Sequence, residues 1–473
     1  MKKWIYVNSD TRPASFNAML ALLLNLCLLV VSAPPARGQN ASPELRRTQL
    51  LNNLNVLYYS QPSSQNVLLK LRIHTGASFD LVGKEGTLVL LGDALFPDDT
   101  TREYFTNELG GRLEVETTYD SITLTLEGKA SEYERIVESL RNALINTSLS
   151  AEIVARLRER RIKQAKERDA AASGAADRAA LRRLFGAYPY GRIAAGISES
   201  LARVERADLM LARERFLNSD NAALVVAGPV DYNRVMRALR QQLGGWRKGD
   251  RTFPPTFRQP DAPDARTLLV DFSANNSSNN FPVEVRLALR GVARSDRDAA
   301  AAKLLALVAR ERWLKSFGAT ANESFKASHD SYALGGVFMM SATVSDAAAA
   351  KRAIDAGRAA LKELMTAPLS AAELARAKSD AMATVNPQAS TLDSLALRWL
   401  DAETYKSASA NETSSMETLT AADVQRVAGK LFRDEKLVTI AVGDAQQLRA
   451  ALPDAVQESK AAATPQNPPR PRP

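Results

Sequence analysis

Cysteine and histidine are almost missing from this chain. Its 473 residues hold one cysteine, Cys27, and two histidines, His74 and His329. Cys27 lies in an N-terminal apolar run, so everything after that run lacks thiols. This excludes a disulfide framework, a thiolate metal site and a cysteine nucleophile. His74 and His329 stand far apart in the chain, so no helix can present a pair of histidines to a metal. A Ser-His-Asp triad would have to recruit one of these two isolated imidazoles, and no Gly-x-Ser-x-Gly elbow occurs. Both histidines read as structural or exposed. Gly83-Lys84-Glu85-Gly86 lacks the Lys-Ser/Thr ending of a phosphate loop. Hydrophobic residues at 45% and charged residues at 24% give an ordinary globular balance.

Long apolar runs are equally scarce. The one candidate is Ala18 to Val31, preceded by Lys2, Lys3 and Arg12 and followed by small and turn residues up to Gly38. A basic start, a short apolar core and a small-residue exit predict a secretory signal over residues 1–38 and an exported, periplasmic or secreted protein. The run is shorter than the ~18–20 residues that span a bilayer. An uncleaved N-terminal anchor is the alternative, and membrane contact is expected only in that case. The residues before Cys27 are not those of a lipid-modified cysteine. Net charge is +9, with the positives gathered in Arg156–Arg168 and Arg178–Arg192. Export argues against nucleic acid as the partner. A solvated helix face is the plain explanation, ahead of an acidic partner or an anionic membrane surface.

What the chain does have is a repeat. Gly76 matches Gly291, Tyr190 matches Tyr405, and the strand Ala223–Gly228 matches Val438–Gly443, all at one offset of 215 positions. Leu149-Ser150 and Leu369-Ser370 repeat at 220, as a small insertion would cause. A duplicated domain follows. Each half begins with a period-two strand (Leu69, Leu71, Ile73; Val283, Val285, Leu287) and continues through helices and further strands. Tyr133, Ile136, Val137, Leu140 and Leu144 fall at helical spacing, and Ser150 is placed to cap the next helix. These patterns predict an α+β protein of two duplicated α/β halves, 39–246 and 267–457. A proline-bearing linker joins them over 247–266, and a Pro-rich disordered tail covers 458–473.

Gly86 to Phe96 (GTLVLLGDALF) resembles the metal-binding helix of the pitrilysin/insulinase zinc peptidases, written Gly-x-x-His-x-x-Glu-His-x-x-Phe in that family. Gly86 and Phe96 stand in register. Val89 occupies the first histidine position, Gly92 the glutamate and Asp93 the second histidine. Gly110-Gly111-Arg112-Leu113-Glu114-Val115 resembles the family's Gly-Gly-x-x-Asn-Ala segment, and Tyr188-Pro189-Tyr190-Gly191-Arg192 its Pro-x-Gly-Arg turn. The resemblance spans roughly residues 50 to 450. It implies halves of the metallohydrolase type, packed as part of a clam-like chamber around an unfolded peptide. It also implies that Leu113, Glu114, Val115 and Glu116 belong to an edge strand that pairs with substrate backbone. An ordinary sheet strand is the competing reading of that segment.

The departures concern the chemistry. A zinc peptidase site needs three protein ligands and an open position. The family's third ligand, a Glu on the helix after Ser150, falls in Arg161-Ile162-Lys163-Gln164-Ala165-Lys166, where bases stand; Glu159, Glu167 and Asp169 are nearby. An Arg and a Tyr that hold substrate in active members correspond to Leu314 and Ala321 around Gly318. Trp313 and Phe317 read as core. Asp93 is expected to be exposed or paired with Lys163 or Lys166. No catalytic residue, no metal ligand and no cofactor are therefore expected, with zinc confined to a catalytic partner. The function implied is that of a non-catalytic subunit pairing with an active zinc-peptidase homologue. The alternatives are a stand-alone peptide-binding or scaffold protein, and a metallopeptidase with a relocated site.

Overall fold

The computed structural model describes Met1 and residues 45–250, 256–258, 260–272, 282–318, 324–383, 391–406, 416–433 and 436–457. Apart from Met1, the expected leader lies outside the described residues, as do the tail 458–473 and part of the stretch 247–266. Among the described residues no helix is long and apolar enough to cross a membrane.

The first half runs β1 (Arg46–Gln49), β2 (Asn55–Ser60), β3 (Asn66–Ile73), α1 (Thr87–Leu95), α2 (Asp99–Asn107), β4 (Arg112–Thr117) and β5 (Ile122–Lys129). It continues through α3 (Tyr133–Ile145), α4 (Ala151–Asp169), α5 (Ala172–Phe185), α6 (Ser198–Ala202), α7 (Arg206–Phe216), β6 (Ala222–Gly228) and α8 (Tyr232–Leu243). The second half runs β7 (Leu268–Asp271), β8 (Val283–Gly291), α9 (Ala299–Phe317), β9 (Phe325–Tyr332), β10 (Gly335–Val344) and α10 (Ala347–Thr366). It closes with α11 (Ala371–Ala383), α12 (Thr391–Tyr405), α13 (Ala421–Leu431), β11 (Val438–Gly443), α14 (Ala445–Ala451) and β12 (Val456–Gln457).

Each half builds one six-stranded sheet, ordered β1-β2-β6-β3-β5-β4 and β12-β7-β11-β8-β10-β9. The inner order β2-β6-β3-β5-β4 matches β7-β11-β8-β10-β9, so the sequence repeat is a repeat of topology. In both, the closing strand (β6, β11) inserts beside the opening one (β2, β7) as the parallel pair. The equivalence fails only at the outer edge, where β1 is antiparallel to its neighbour and β12 parallel. One face of each sheet carries the half's own helices. Tyr133, Ile136, Val137 and Leu140 of α3 join Val67, Leu69, Leu71, Leu124 and Leu126 in the first core. Burying such an aliphatic side chain contributes about 1.5–3 kcal/mol.

The other face of each sheet is covered by a helix from the opposite half. Ala176 and Ala180 of α5 pack with Ala288, Val438 and Ile440 of the second sheet. Leu392, Ala396 and Leu400 of α12 pack with Leu57, Leu68, Ala223 and Val225 of the first. Equivalent ion pairs fasten the exchange: Lys70 on β3 to Asp393 on α12 at 2.5 Å, and Arg286 on β8 to Asp177 on α5 at 2.6 Å. Neither sheet is covered without the other half, so the two halves form one interlocked body.

Candidate site on the degenerate helix

Helix α1 enters through Gly86, whose φ of 98° lies in the left-handed region that favours glycine. The buried Asp80 carboxylate accepts from the N–H groups of Gly86 (2.7 Å) and Leu88 (2.9 Å), satisfying donors that the first helical turn leaves open. Burial pushes its pKa up to about 7, against the pull of these two bonds and of Arg192. Every residue of α1 is buried, which fits its mostly apolar sequence.

The three positions that resemble the zinc motif have separate fates. Val89 is core, 4% exposed. Gly92 faces β4 at close range: a Cβ there would stand 2.6 Å from Thr117 Oγ1 and 3.5 Å from Val115 Cγ1. A side chain at the glutamate position would have to displace the Thr117 side chain, so helix and strand stand close over that space. Asp93 is buried, and both its oxygens are taken by Arg161 of α4, from Nε and from Nη2, each at 2.6 Å. This two-pronged contact is the strongest form of carboxylate recognition by a side chain.

Two expectations are thereby corrected. Asp93 is not exposed, and its partner is Arg161 rather than Lys163 or Lys166, both of which point to solvent. The reason is helical register: Val154, Leu157 and Ala165 are the buried residues of α4. Residue 161 lies four positions from both 157 and 165, on that stripe, while 163 and 166 lie off it. The same spacing in the sequence was the signal for Arg161. The nearby acids take no part. Glu159 and Glu167 are exposed, and Asp169 turns to Arg178 and Arg168. The donor set a zinc ion would meet is one carboxylate already engaged by a guanidinium, which does not fit the metal. Among the described residues no cluster of three His, Cys, Asp or Glu could hold a metal ion.

Among the described residues, strand β4 is the edge of the first sheet, bonded to β5 on one side only. Leu113 is buried and Val115 and Thr117 half-buried toward α1, while Glu114 and Glu116 face solvent. Arg112 holds Glu114 at 2.8 Å and Glu127 at 3.1 Å, leaving Glu116 as the acid of the strand that Arg112 does not hold. The sequence alternation thus gives the faces of β4.

The histidines are apart from this site. His329, on β9, accepts the N–H of Val292 at Nε2 (3.1 Å). His74 follows β3, with a buried Nδ1 that meets no hydrogen-bond partner among the described residues. Burial, reinforced by Arg294 for one and by Arg72 and Lys406 for the other, pulls each imidazole down to about 4. In the second half, Leu314 packs half-buried against the core, and Trp313 is buried with Nε1 donating to Ala353 O at 2.8 Å. Phe317 lies against the same core. Ala321 lies outside the described residues.

Two six-stranded sheets of one topology, with the buried helix α1 packed on the edge strand of the first, frame the site. Residues 203–380 match the family model of the peptidase M16 inactive domain. Over those residues the chain resembles the peptidase M16 family. No curated protein matches it. Its fold is that of a peptidase M16 inactive domain from Pseudomonas fluorescens (TM-score 0.74, 16% identity, 85% of this chain and 98% of that one). It is similar to a protease from Helicobacter pylori (TM-score 0.75, 17% identity, 85% and 99%) and to a chain of Complex III2 from Candida albicans (0.67, 14%, 86% and 100%).

Proposed function

We propose that this chain is an exported, non-catalytic subunit that completes a peptide-holding chamber with a separate, zinc-bearing peptidase homologue. The observation that carries this is the Asp93–Arg161 pair beside an open edge strand. The side chains that would hold a metal are engaged with each other, while the strand that would hold a peptide keeps one side unpaired. An unpaired strand edge offers main-chain donors and acceptors to an extended peptide. Zinc and water activation then come from the partner, and this chain supplies wall, edge strand and stability. The fold similarity to a chain of a multi-subunit complex supports the partnering. Co-expression with a zinc-peptidase homologue encoded beside it, followed by size exclusion and a peptidase assay, tests the proposal. The expected result is a stable complex more active than the homologue alone. Separate elution and unchanged activity would refute the partnering.

A further inference from the structure

Resting on that peptide-holding role, we infer that Arg160 anchors a carboxylate of the bound peptide, either its C-terminal carboxylate or an acidic side chain. Arg160 and Arg161 are consecutive on α4, and only Arg161 hydrogen-bonds Asp93. Arg161 is committed to Asp93 through two bonds. Arg160 comes within 3.9 Å of the same carboxylate, beyond hydrogen-bond range, and its side chain is 38% exposed. It makes no hydrogen bond to another described residue. A planar fork of N–H donors is therefore held beside α1 with its recognition capacity unspent. Asp93 already carries one full counter-charge in Arg161, so the local balance is positive. The exposed Lys163 and Lys166 of the same helix add to it.

Helix α1 links the fork to the strand that would bind peptide. Gly92 meets Thr117, the last residue of β4, and the next residue, Asp93, meets Arg160 and Arg161. Two adjacent residues of one helix thus join the strand's end to the open guanidinium. A guanidinium recognises a carboxylate by two parallel hydrogen bonds and gains no such contact with an uncharged amide. The exposed Glu116 and Glu159 disfavour a polyanion, which limits the ligand to a single, well-placed carboxylate. Arg160 would act by holding the peptide, with no chemical step of its own.

The test uses the full chain and three fluorescein-labelled octapeptides of alternating valine and threonine: one with a free C-terminus, its C-terminal amide, and an amide carrying glutamate at its centre. Anisotropy titrations give affinities, and hydrogen exchange of residues 112–117 reports occupation of the strand. One carboxylate-bearing peptide should bind at least about tenfold more tightly than the plain amide. Arg160→Gln should abolish that preference while leaving the amide's own affinity and the thermal midpoint unchanged. Preference for the free acid identifies the C-terminus as the source, and preference for the central glutamate identifies a side chain. Equal binding of all three with protection of 112–117, or a preference that survives Arg160→Gln, overturns the role of Arg160 and leaves the peptide-holding role standing. Absence of binding by all three overturns both.

Discussion

Removing Arg161 should destabilise the protein more than removing Asp93, although both substitutions break the same contact. Asp93 is nearly enclosed, with 9% of its side chain exposed, whereas Arg161 is 28% exposed. Arg161→Ala strands a carboxylate in a buried position. Breaking a fully buried pair in this way costs about 3–5 kcal/mol. Arg160, 3.9 Å away, recovers part of the lost attraction, which sets the expectation at about 2–3 kcal/mol. Asp93→Ala frees a guanidinium that can turn to water, and about 1–2 kcal/mol is expected from the lost bonds. The double variant removes both charges, so its loss should fall short of the sum by about 1.5–3 kcal/mol, the range for hydrogen bonds to charged groups. Arg161→Lys keeps the charge but not the two-pronged geometry, and should recover less than half of the loss. Urea unfolding of wild type, both single variants, the double variant and Arg161→Lys, followed by tryptophan fluorescence, gives the cycle. Additive single effects, or a larger loss for Asp93→Ala, would refute the view that this pair bridges the two helices in place of a metal.

Three further outcomes follow from the geometry. Gly92→Ala should cost about 1–3 kcal/mol by overpacking against Thr117, despite the better helix propensity of alanine. Thr117→Ala in the same chain should recover most of that cost, as urea midpoints would show. The histidines make the fold acid-sensitive: each imidazole is pulled from 6.5 to about 4 in the folded state, so between these values the unfolded chain binds more protons. Their contribution is complete above pH 6.5 and is lost progressively down to pH 4, by about 3 kcal/mol for each histidine. His329→Gln should flatten this part of the stability–pH curve, and an unchanged slope would contradict the assignment. Arg286→Met should destabilise more than Lys70→Met although the two residues are equivalent. Asp393 keeps Arg112 at 3.2 Å, whereas the buried Glu284 and the half-exposed Asp177 both lose Arg286; comparison of thermal midpoints checks the order.

The repeat and the alternating strands were legible because they are local signals carried twice. Ala223–Gly228 and Val438–Gly443 are the closing strands of two sheets of one topology, whereas Gly76 lies beyond β3 and Gly291 within β8. The exchange of α5 and α12 was not legible. Spacing such as Leu392, Ala396 and Leu400 tells which helix face is buried, not which sheet buries it. The edge position of β4 was carried by the family resemblance alone, since strand order depends on crossovers distant in sequence. The partner of Asp93 was within reach of periodicity through Val154, Leu157 and Ala165. The lysines drew attention because they occupy the stretch of the expected third ligand, but charge type does not place a side chain and helical register does. Arg160 carries no sequence signal that separates it from the other bases of α4; only the commitment of its neighbour singles it out.

The central proposal is that this chain, whose fold is that of an M16 inactive domain, lacks metal chemistry of its own, and metal content of the purified single chain tests it most directly. After dialysis against zinc, elemental analysis should find far less than one zinc per chain, and an extended fluorogenic peptide should remain uncleaved with or without chelator. One zinc per chain, together with hydrolysis that the chelator abolishes and added zinc restores, would contradict the account.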